Sequence, residues 1–385
     1  MEKKERLMSL DALRGFDMLW IMGFSGAVVA LCSLVGAKGC WLATQMTHVS
    51  WFGFRHHDTI FPLFLFLAGV SWPFSYASQV AKGTPTGRIV LRGVKRMALL
   101  VLFGLIAGRA LEFNFAHYRY DSVLAHIGVC WFAAAMLYVF VRNWKVRLAV
   151  VAGLLVGYWA LVFFIPAPDA AAVLASTDPA VAKKVAQYAA LGTGNWSPVG
   201  SLACWVDRTF EIGVCNEKLF NADGVLGKVT GAALASLGVL AGELLRSGLS
   251  GRRKAAVLAG AGLAAVALTF AWSPVCPVIK KIWTPTFVLA SAGYSFLMLA
   301  LFYWIVDVRG CRKWTFFFRV IGMNSITIYM LMRIVNFAAM SKFFLGGVAS
   351  WGNADWSAFV LPIGQVVLEW LVLWFLYEKK TFLKV

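Results

Sequence analysis

Hydrophobic residues follow the chain in long runs that short polar segments separate. Runs of this length match the roughly 20 residues that an α-helix needs to cross a bilayer. Because a backbone in lipid must satisfy its own hydrogen bonds, a helix is the structure expected for each run. The pattern predicts about ten spans, near residues 12–32, 58–79, 97–112, 122–141, 148–165, 224–245, 255–272, 283–306, 318–338 and 357–377. The sequence therefore predicts an all-α polytopic membrane protein with one transmembrane domain over residues 1–385 and a long outer loop at about 166–223.

Composition supports this class and argues against a nucleic-acid partner. The chain has 385 residues, of which 60% are hydrophobic and only 14% are charged. A soluble domain of this length would need more charge to cover its surface. The net charge of +18 could indicate nucleic-acid binding, but the basic residues lie in short loops between the predicted spans. That distribution is typical of membrane topology, so we expect no nucleic-acid partner.

The basic loops also predict the orientation of the chain. An even number of spans places both termini on one side, and the loops of that side, such as MEKKERL and YEKKTFLKV, are rich in lysine and arginine. The positive-inside bias makes that side cytoplasmic. The segment HVSWFGFRHHD and the loop 166–223 then face the periplasm of a bacterial inner membrane, and we expect membrane lipids to surround the spans.

Charged residues recur inside the first predicted span. Asp11, Arg14 and Asp17 are three residues apart, so they share roughly one face of a helix. A charge at the centre of a span costs about 2.5–3.5 kcal/mol and usually faces a bundle interior or a wet cavity. Two interpretations stay open: an ion pair that fixes helix packing, or one wall of a polar ligand tunnel.

A basic stripe leads into the third predicted span. Arg88, Arg92 and Arg96 are spaced four residues apart. Such a stripe is typical of a topology signal or of a grip on anionic lipid headgroups. The alternative is a site for a ligand that carries phosphate.

Titratable residues crowd the start of the second predicted span. His48, His56, His57 and Asp58 lie within eleven residues, beside the aromatic Trp51. Imidazole and carboxylate can bind zinc or iron, but the spacing matches no metal motif, so no metal site is expected. A polar and aromatic belt at the membrane interface is one interpretation. The other is a histidine general base beside a carboxylate.

Seven motifs resemble one family and occur in its order. They are SLDALRGFDM, HVSWFGFRHHDTIFPLFLFLAGVS, SVLAHIGVCWF, ADGVLGKVTGAALASLGVLAGELL, IWTPTFVLASAGYSFL, VDVRG and GMNSITIYML. The set is similar to the heparan-alpha-glucosaminide N-acetyltransferase family of transmembrane acyltransferases, including its bacterial members. The resemblance covers nearly the whole chain and is weakest in the loop 166–223.

The resemblance implies an enzyme that takes an acetyl group from cytoplasmic acetyl-CoA and delivers it across the membrane. In the lysosomal member the acceptor is the amine of a terminal glucosamine. The family's catalytic His-x-x-Trp-x-Gly motif matches the stretch from His48 to Gly53, and its aspartate before Phe-Pro matches Asp58. Its Asn-Ser pair matches Asn324 and Ser325. The family also suggests a homodimer.

The matched residues fit the chemistry of acyl transfer to an amine. His48 can accept the proton of the attacking nitrogen, and Asp58 can orient the imidazole. Asn324 can donate a hydrogen bond to the developing oxyanion. These three are the predicted catalytic residues.

The other candidates divide between donor and acceptor. For the donor, cations are expected to bind the anionic nucleotide end of acetyl-CoA. The predicted donor-binding residues are Arg14, Arg92, Arg96 and Ser325, and the predicted acceptor-binding residues are Trp51, His57, Trp205 and Asp207. The outer-loop members of the second group could instead belong to an interfacial belt.

Departures from the family pattern leave the acceptor open. The chain reads Leu-Ala-His-Ile-Gly at 124–128 where relatives commonly read Leu-Gln-Arg-Ile-Gly, and Met332 and Arg333 replace a His-Glu pair. An amino sugar, O-acetylation of an envelope glycan, and transport of a sugar-like substrate are the alternatives. Direct transfer and transfer through an acetylated His48 both fit.

Two cysteines of the outer loop leave a further alternative open. A disulfide between Cys204 and Cys215 would suit an oxidising compartment, and buried thiols are the other possibility.

Overall fold

The fold is a bundle of α-helices. A computed structural model of the protein describes residues 7–114, 118, 120–210, 215, 217–222 and 224–383. In chain order the helices are α1 (Met8–Leu19), α2 (Ser25–Leu34), α3 (Trp41–Gln45), α4 (His56–Ala81), α5 (Thr86–Ala107), α6 (Val123–Phe140), α7 (Trp144–Phe164), α8 (Ala170–Leu174), α9 (Pro179–Gln187), α10 (Leu202–Phe210), α11 (Gly227–Arg246), α12 (Gly251–Trp272), α13 (Pro285–Phe302), α14 (Thr315–Met323), α15 (Ser325–Ile334), α16 (Phe337–Ala349) and α17 (Ala354–Glu378).

The predicted class is confirmed: the chain is an integral, multi-pass membrane protein. Among the described residues, eight helical segments are long and apolar enough to cross a membrane, and the bent pair α14–α15 could provide a ninth. These segments are Met8–Leu34, which joins α1 to α2, then α4, α6, α7, α11, α12, Pro285–Val308, which extends α13, and α17.

Two of the ten predicted spans differ in the structure. The span predicted at 97–112 falls in α5, which ends at Ala107 and is not among the helices that qualify by length and composition. Every 18-residue stretch of α5 contains Arg92, Lys95 and Arg96, so its apolar part is short. The span predicted at 318–338 is broken at Asn324, where α14 and α15 meet at a bend of 67°.

Polar residues begin several of the helices. Thr284 caps α13 by accepting the backbone N–H of Phe287, and Pro285 occupies the first helical position, where no N–H is needed. Ser122 caps α6 and Asn353 caps α17 in the same manner. These caps satisfy backbone groups that a helix end would otherwise leave unpaired.

The main core lies where α4 crosses α11, and glycines allow this close approach. A Cβ atom on Gly238 would overlap the backbone carbonyl of Phe66, and one on Gly242 would overlap that of Val70. Gly69 faces the carbonyl of Ala235 from the other side. Small residues at such crossings let two transmembrane backbones pack closely.

The outer loop forms a small layer over one end of the bundle. Arg208 joins its parts: the guanidinium donates to both carboxylate oxygens of Asp169, at 2.9 and 2.6 Å, and to the carbonyls of Pro198, Val199 and Leu219. Beneath it, Trp51 is buried with apolar residues of the loop. The loop thus packs over Trp51, three residues after His48.

Candidate functional site

His48 and Asp58 form the pair that the sequence predicts. The His48 Nδ1 lies 2.7 Å from the Asp58 Oδ1, and the backbone N–H of Val49 approaches Oδ2 at 3.4 Å. Asp58 lies in the first turn of α4 and is completely buried, whereas the His48 side chain is 53% exposed. Because a carboxylate can only accept, Nδ1 carries the proton of this bond, and in a neutral ring the free lone pair is then on Nε2.

Lys280 completes this pair, although it is 232 positions from His48 in the chain. Its Nζ lies 3.1 Å from the Asp58 Oδ1 and 3.1 Å from the His48 Nδ1. The lysine side chain is 18% exposed. A buried carboxylate is costly unless it is paired, and Lys280 supplies the compensating charge.

A short pairing of two loops brings Lys280 to the histidine. Phe52 and Ile279 form an isolated antiparallel bridge, and the backbone N–H of Gly53 donates to the carbonyl of Val278 at 2.9 Å. Gly53 has φ +120°, a conformation that side chains rarely adopt. The segments around residues 48–53 and 278–280 are therefore locked together.

The next two histidines extend the polar cluster along α4. The rings of His48 and His57 are 4.4 Å apart, and the His57 Nδ1 lies 3.1 Å from the hydroxyl of Ser25. His56 points elsewhere: its Nδ1 lies 3.2 Å from the hydroxyl of Tyr294. Of the two, His57 is the one that shares a cavity with His48.

That cavity, which we call the main cavity, has a volume of about 750 Å³. Its polar lining residues are Arg14, His48, His57, Ser71, Arg96, Lys280, Lys281, Asn324, Ser325, Tyr329 and Arg333. His57 and Ser71 lie on the same helix, and at 1.5 Å per residue they are roughly 21 Å apart. The cavity therefore runs through much of the thickness of the bundle.

Asn324 reaches the main cavity because the helix breaks there. It has non-helical φ −125° and ψ 26° between α14 and α15, and it is 2% exposed. Its Oδ1 accepts from the Thr327 hydroxyl at 3.3 Å, while among the described residues its Nδ2 has no hydrogen-bond partner. A buried amide donor without a partner is unusual and is suited to a ligand oxygen.

Two arginines line the main cavity away from the histidines. Arg14 donates to the Ser71 hydroxyl and approaches the Asp11 carboxylate at 3.4 Å. The guanidinium of Arg96 stacks on Trp131, 4.1 Å from the ring centre. The helix start of α1 and the end of α17 lie at this end, which we call the basic end.

A second cavity of about 630 Å³ adjoins the first at the basic end. The two share Met323 and Phe382 in their linings. Arg312, Arg319 and Lys380 line the second cavity, and they outnumber the two carboxylates of its lining, Asp11 and Asp307. It therefore offers positive charge next to the arginines of the main cavity.

Four of the predicted site residues lie away from the main cavity, and a fifth, Asp58, does not line it but is bonded to His48, which does. Trp51 is fully buried and donates to the Trp196 carbonyl at 2.7 Å. Asp207 accepts the backbone N–H groups of residues 221 and 225, and Trp205 packs on Phe210. Arg92 is exposed and donates to Gln79 at 2.9 Å. The other predicted residues are brought together: His48 and Asp58 as a pair, with His57, Asn324, Ser325, Arg14 and Arg96 around the cavity.

The described cysteines include both Cys204 and Cys215, and no disulfide joins these two. Cys204 is completely buried, and burial raises the pKa of its thiol, so the unreactive protonated form is favoured. Within the part of the chain that the structure describes, no group of three histidine, cysteine or acidic residues could hold a metal ion.

Lys280 is the main site residue that the sequence pattern does not reveal. It lies in the segment PVIKKIWT at the start of the predicted span 283–306, beside a second lysine, and no local spacing links it to His48. The one indication in the sequence is that two adjacent lysines are predicted at the same end of the bundle as the cluster of histidines.

Comparison with known proteins finds two curated relatives, and no family model matches the chain. The chain is 26% identical over 428 aligned positions to a heparan-alpha-glucosaminide N-acetyltransferase of Mus musculus, an alignment that covers 100% of this chain and 62% of the relative. It is 25% identical to the Homo sapiens protein of the same name, over 84% of this chain and 52% of that protein. The chain thus spans little more than half the length of these relatives. The comparisons confirm the resemblance that the ordered motifs predict: this chain is similar to the heparan-alpha-glucosaminide N-acetyltransferases along its length.

Proposed function

We propose that this protein is a transmembrane acetyltransferase, which moves an acetyl group from acetyl-CoA to the amine of a glucosamine-type hexosamine. The observation that carries the proposal is the main cavity. It joins His48, which is paired with Asp58, to the amide of Asn324 and to the arginines of the basic end. The names of the two curated relatives support the class of reaction and the amino-sugar acceptor.

His48 acts as the general base. Its Nδ1–H donates to Asp58, so its Nε2 can accept the proton that the attacking amine loses. Asp58 holds the ring in this tautomer and compensates the imidazolium that forms. Such proton transfer is worth roughly 10²–10⁴ in rate.

Asn324 stabilises the charge that develops on the acetyl oxygen. The amine nitrogen forms a C–N bond to the thioester carbon, and the C–S electron pair leaves with the sulfur of CoA. The proton held on His48 passes to that thiolate, which balances the reaction and restores the base. Removing one oxyanion donor of this kind typically costs about 10²–10³ in rate.

The arginines would hold the anionic end of the donor. Arg14 and Arg96 lie toward the basic end of the main cavity, and Arg312, Arg319 and Lys380 line the adjoining cavity. Guanidinium groups bind phosphate through paired, charge-assisted hydrogen bonds. Together the two cavities can accommodate an uncharged pantetheine arm and a charged nucleotide. Ser325, also on the main cavity, is a candidate contact to the donor.

The charge distribution supports a cytoplasmic basic end, as the positive-inside bias requires. The donor then enters from the cytoplasm and the acceptor from the opposite, periplasmic side of a bacterial inner membrane. His57 lines the cavity near His48 and is positioned to contact the acceptor.

Transport of a sugar-like substrate is the second candidate. A long cavity and a broken helix at the cavity wall are features that transporters also use. O-acetylation is the third, since it differs only in the nucleophile. The product distinguishes all three.

The test is acetyl transfer by purified protein in detergent. Acetyl-CoA with a labelled acetyl group is supplied with glucosamine or with N-acetylglucosamine, and native protein is compared with a His48→Ala variant that elutes as a folded monodisperse species. We expect labelled N-acetylglucosamine from glucosamine alone, and its loss in the variant. Labelled product only from N-acetylglucosamine would identify O-acetylation. No product from either sugar, together with no binding of acetyl-CoA, would overturn the proposal in favour of transport.

A further inference from the structure

Asp58 poses an electrostatic problem that the His48 pair alone does not solve. The carboxylate is completely buried, and its Oδ1 accepts from the His48 Nδ1 at 2.7 Å. A buried carboxylate with only a neutral imidazole beside it can lower its free energy by taking a proton, or by holding a proton on the imidazole as an ion pair. In the first case the Nδ1–H of His48 loses its carboxylate acceptor. In the second case Nε2 carries a proton and has no free lone pair, so His48 cannot act as a general base.

Lys280 is placed to remove this conflict. Its Nζ approaches the same Asp58 oxygen at 3.1 Å, so the carboxylate has a permanent counter-charge while the imidazole stays neutral. The lysine is held there by buried neighbours: Ile279 and Trp283 are 0% exposed, and the backbone N–H of Trp283 donates to the Lys280 carbonyl at 3.0 Å. The bridge between Phe52 and Ile279 ties this turn to the segment of His48.

We propose that Lys280 is a positioning residue for His48, which keeps Asp58 ionised and His48 neutral at the same time. The expected effect on the reaction rate rests on the proposed function, whereas the effect of Lys280 on the protonation of His48 does not. The charged and titratable groups that face His48 are Asp58, His57, Lys280 and Arg55, whose guanidinium donates to the His48 carbonyl at 3.1 Å.

The proposal predicts a specific change in pH dependence. Replacing Lys280 by the similarly shaped, uncharged methionine removes a cation that lies against the imidazole and its carboxylate. The imidazolium then becomes more favourable, so a higher pH is needed to obtain the neutral base. The acid limb of the rate profile therefore moves to higher pH, and the loss of kcat is greatest at low pH.

The experiment compares Lys280→Met and Lys280→Arg with two matched controls. Lys281→Met removes a charge from the next residue, and Lys228→Met breaks a similarly half-buried lysine–carboxylate pair, with Asp121 at 2.9 Å, outside the cavity lining. In Lys280→Met we expect kcat to fall about 10- to 100-fold at neutral pH, within the range that proton transfer contributes. The KM for acetyl-CoA should change less than twofold, and Lys280→Arg should restore most of the rate. Neither control should move the acid limb.

A second measurement does not depend on the transferase activity. Diethylpyrocarbonate reacts with a histidine ring only in its neutral form, and the modification of His48 can be followed against pH by mass spectrometry of the peptide that carries it. We expect the midpoint of His48 modification to move to higher pH in Lys280→Met and to stay in place in Lys281→Met. This readout applies even if the native protein transfers no acetyl group, in which case the proposed function fails and the Lys280 inference does not.

Two results would overturn the inference. One is a folded Lys280→Met variant whose modification midpoint and acid limb match those of the native protein. The other is a variant that only loses thermal stability, as Lys228→Met would, with unchanged pH dependence. If Lys280→Met does not fold, the same shift must be sought in Lys280→Gln, and its absence there is equally decisive.

Discussion

At the scale of single residues, the surroundings of Asp58 restrict what can replace it. Its two oxygens accept from three donors, the His48 ring, the Lys280 ammonium and the Val49 backbone N–H. An amide has one oxygen and one NH₂ group, so in either orientation it would turn a donor toward another donor. Asparagine has the same shape as Asp58 but therefore cannot make the same three hydrogen bonds.

We predict that Asp58→Asn lowers kcat by about 10²–10⁴, because His48 loses the acceptor that fixes its tautomer. The matched control is Asp121→Asn, another buried carboxylate that pairs with a lysine, Lys228, at 2.9 Å. Steady-state kinetics per folded molecule should separate the two variants. A kcat within threefold of native for Asp58→Asn would contradict the assigned role.

The Nδ2 of Asn324, which has no hydrogen-bond partner in the part of the chain that the structure describes, leads to a second prediction. Asn324→Ala and the equally sized Asn324→Asp both remove the N–H donor, and each should lower kcat by about 10²–10³ while the KM for acetyl-CoA changes little. If Asn324→Asp kept native activity, hydrogen-bond donation could not be the role of this side chain.

The sequence predicts these polar residues only as far as local patterns allow. His48, Asp58 and Asn324 stand in short motifs, and the structure places His48 and Asn324 on one cavity, with Asp58 bonded to His48. Lys280 escapes such a search because its contact with His48 depends on a pairing of two loops that are far apart in the chain. Trp51 and Asp207 lie apart from the cavity because their polar atoms bond to backbone groups of the outer layer, which composition cannot indicate.

At the scale of helices, the packing of α4 against α11 depends on glycine. Gly238 and Gly242 each approach a backbone carbonyl of α4, and the resulting contact places the helix that carries Asp58. The hydrophobic pattern predicts both helices but not their crossing, because lipid and a neighbouring helix are equally apolar environments.

We predict that Gly238→Ala destabilises the protein by about 1–3 kcal/mol, since the added methyl group meets the carbonyl of Phe66. The control is Gly153→Ala on α7, where an added Cβ would meet no side chain or other helix of the described residues within 4 Å and alanine is the better helix former. Thermal unfolding in detergent should show a lower Tm for the first variant and an equal or higher Tm for the second. Equal Tm values would mean that α4 and α11 are not packed as described.

At the scale of the whole molecule, the number of spans is harder to predict than the class. Apolar runs identify the chain as a membrane protein. The count of spans is less certain from sequence, because α5 carries too many cations for its length and the α14–α15 pair bends by 67° at Asn324. Both departures line the main cavity, through Arg96 and Asn324. Charged or broken helices are tolerated at membrane depth where they border protein or a cavity. This explains why the charged helix α5 and the broken pair α14–α15 both lie beside the main cavity.

The position of the arginines predicts where donor affinity arises. Arg14→Met and Arg96→Met should each raise the KM for acetyl-CoA about tenfold, as expected for the loss of a hydrogen bond to a charged group. Arg92→Met removes a cation of the same stripe that lies outside the cavity, and its effect should be smaller. An Arg92 effect equal to that of Arg96 would place the nucleotide on the surface of α5 instead.

The central claim is that one cavity connects a donor site at the basic end to His48 at the other end. The most direct test uses vesicles in which the protein is reconstituted in a known orientation, with labelled acetyl-CoA on the side of the basic end and glucosamine only in the opposite compartment. The account predicts labelled N-acetylglucosamine in the compartment of the acceptor, and none with the His48→Ala variant. Product that forms only when donor and acceptor share one compartment would contradict it.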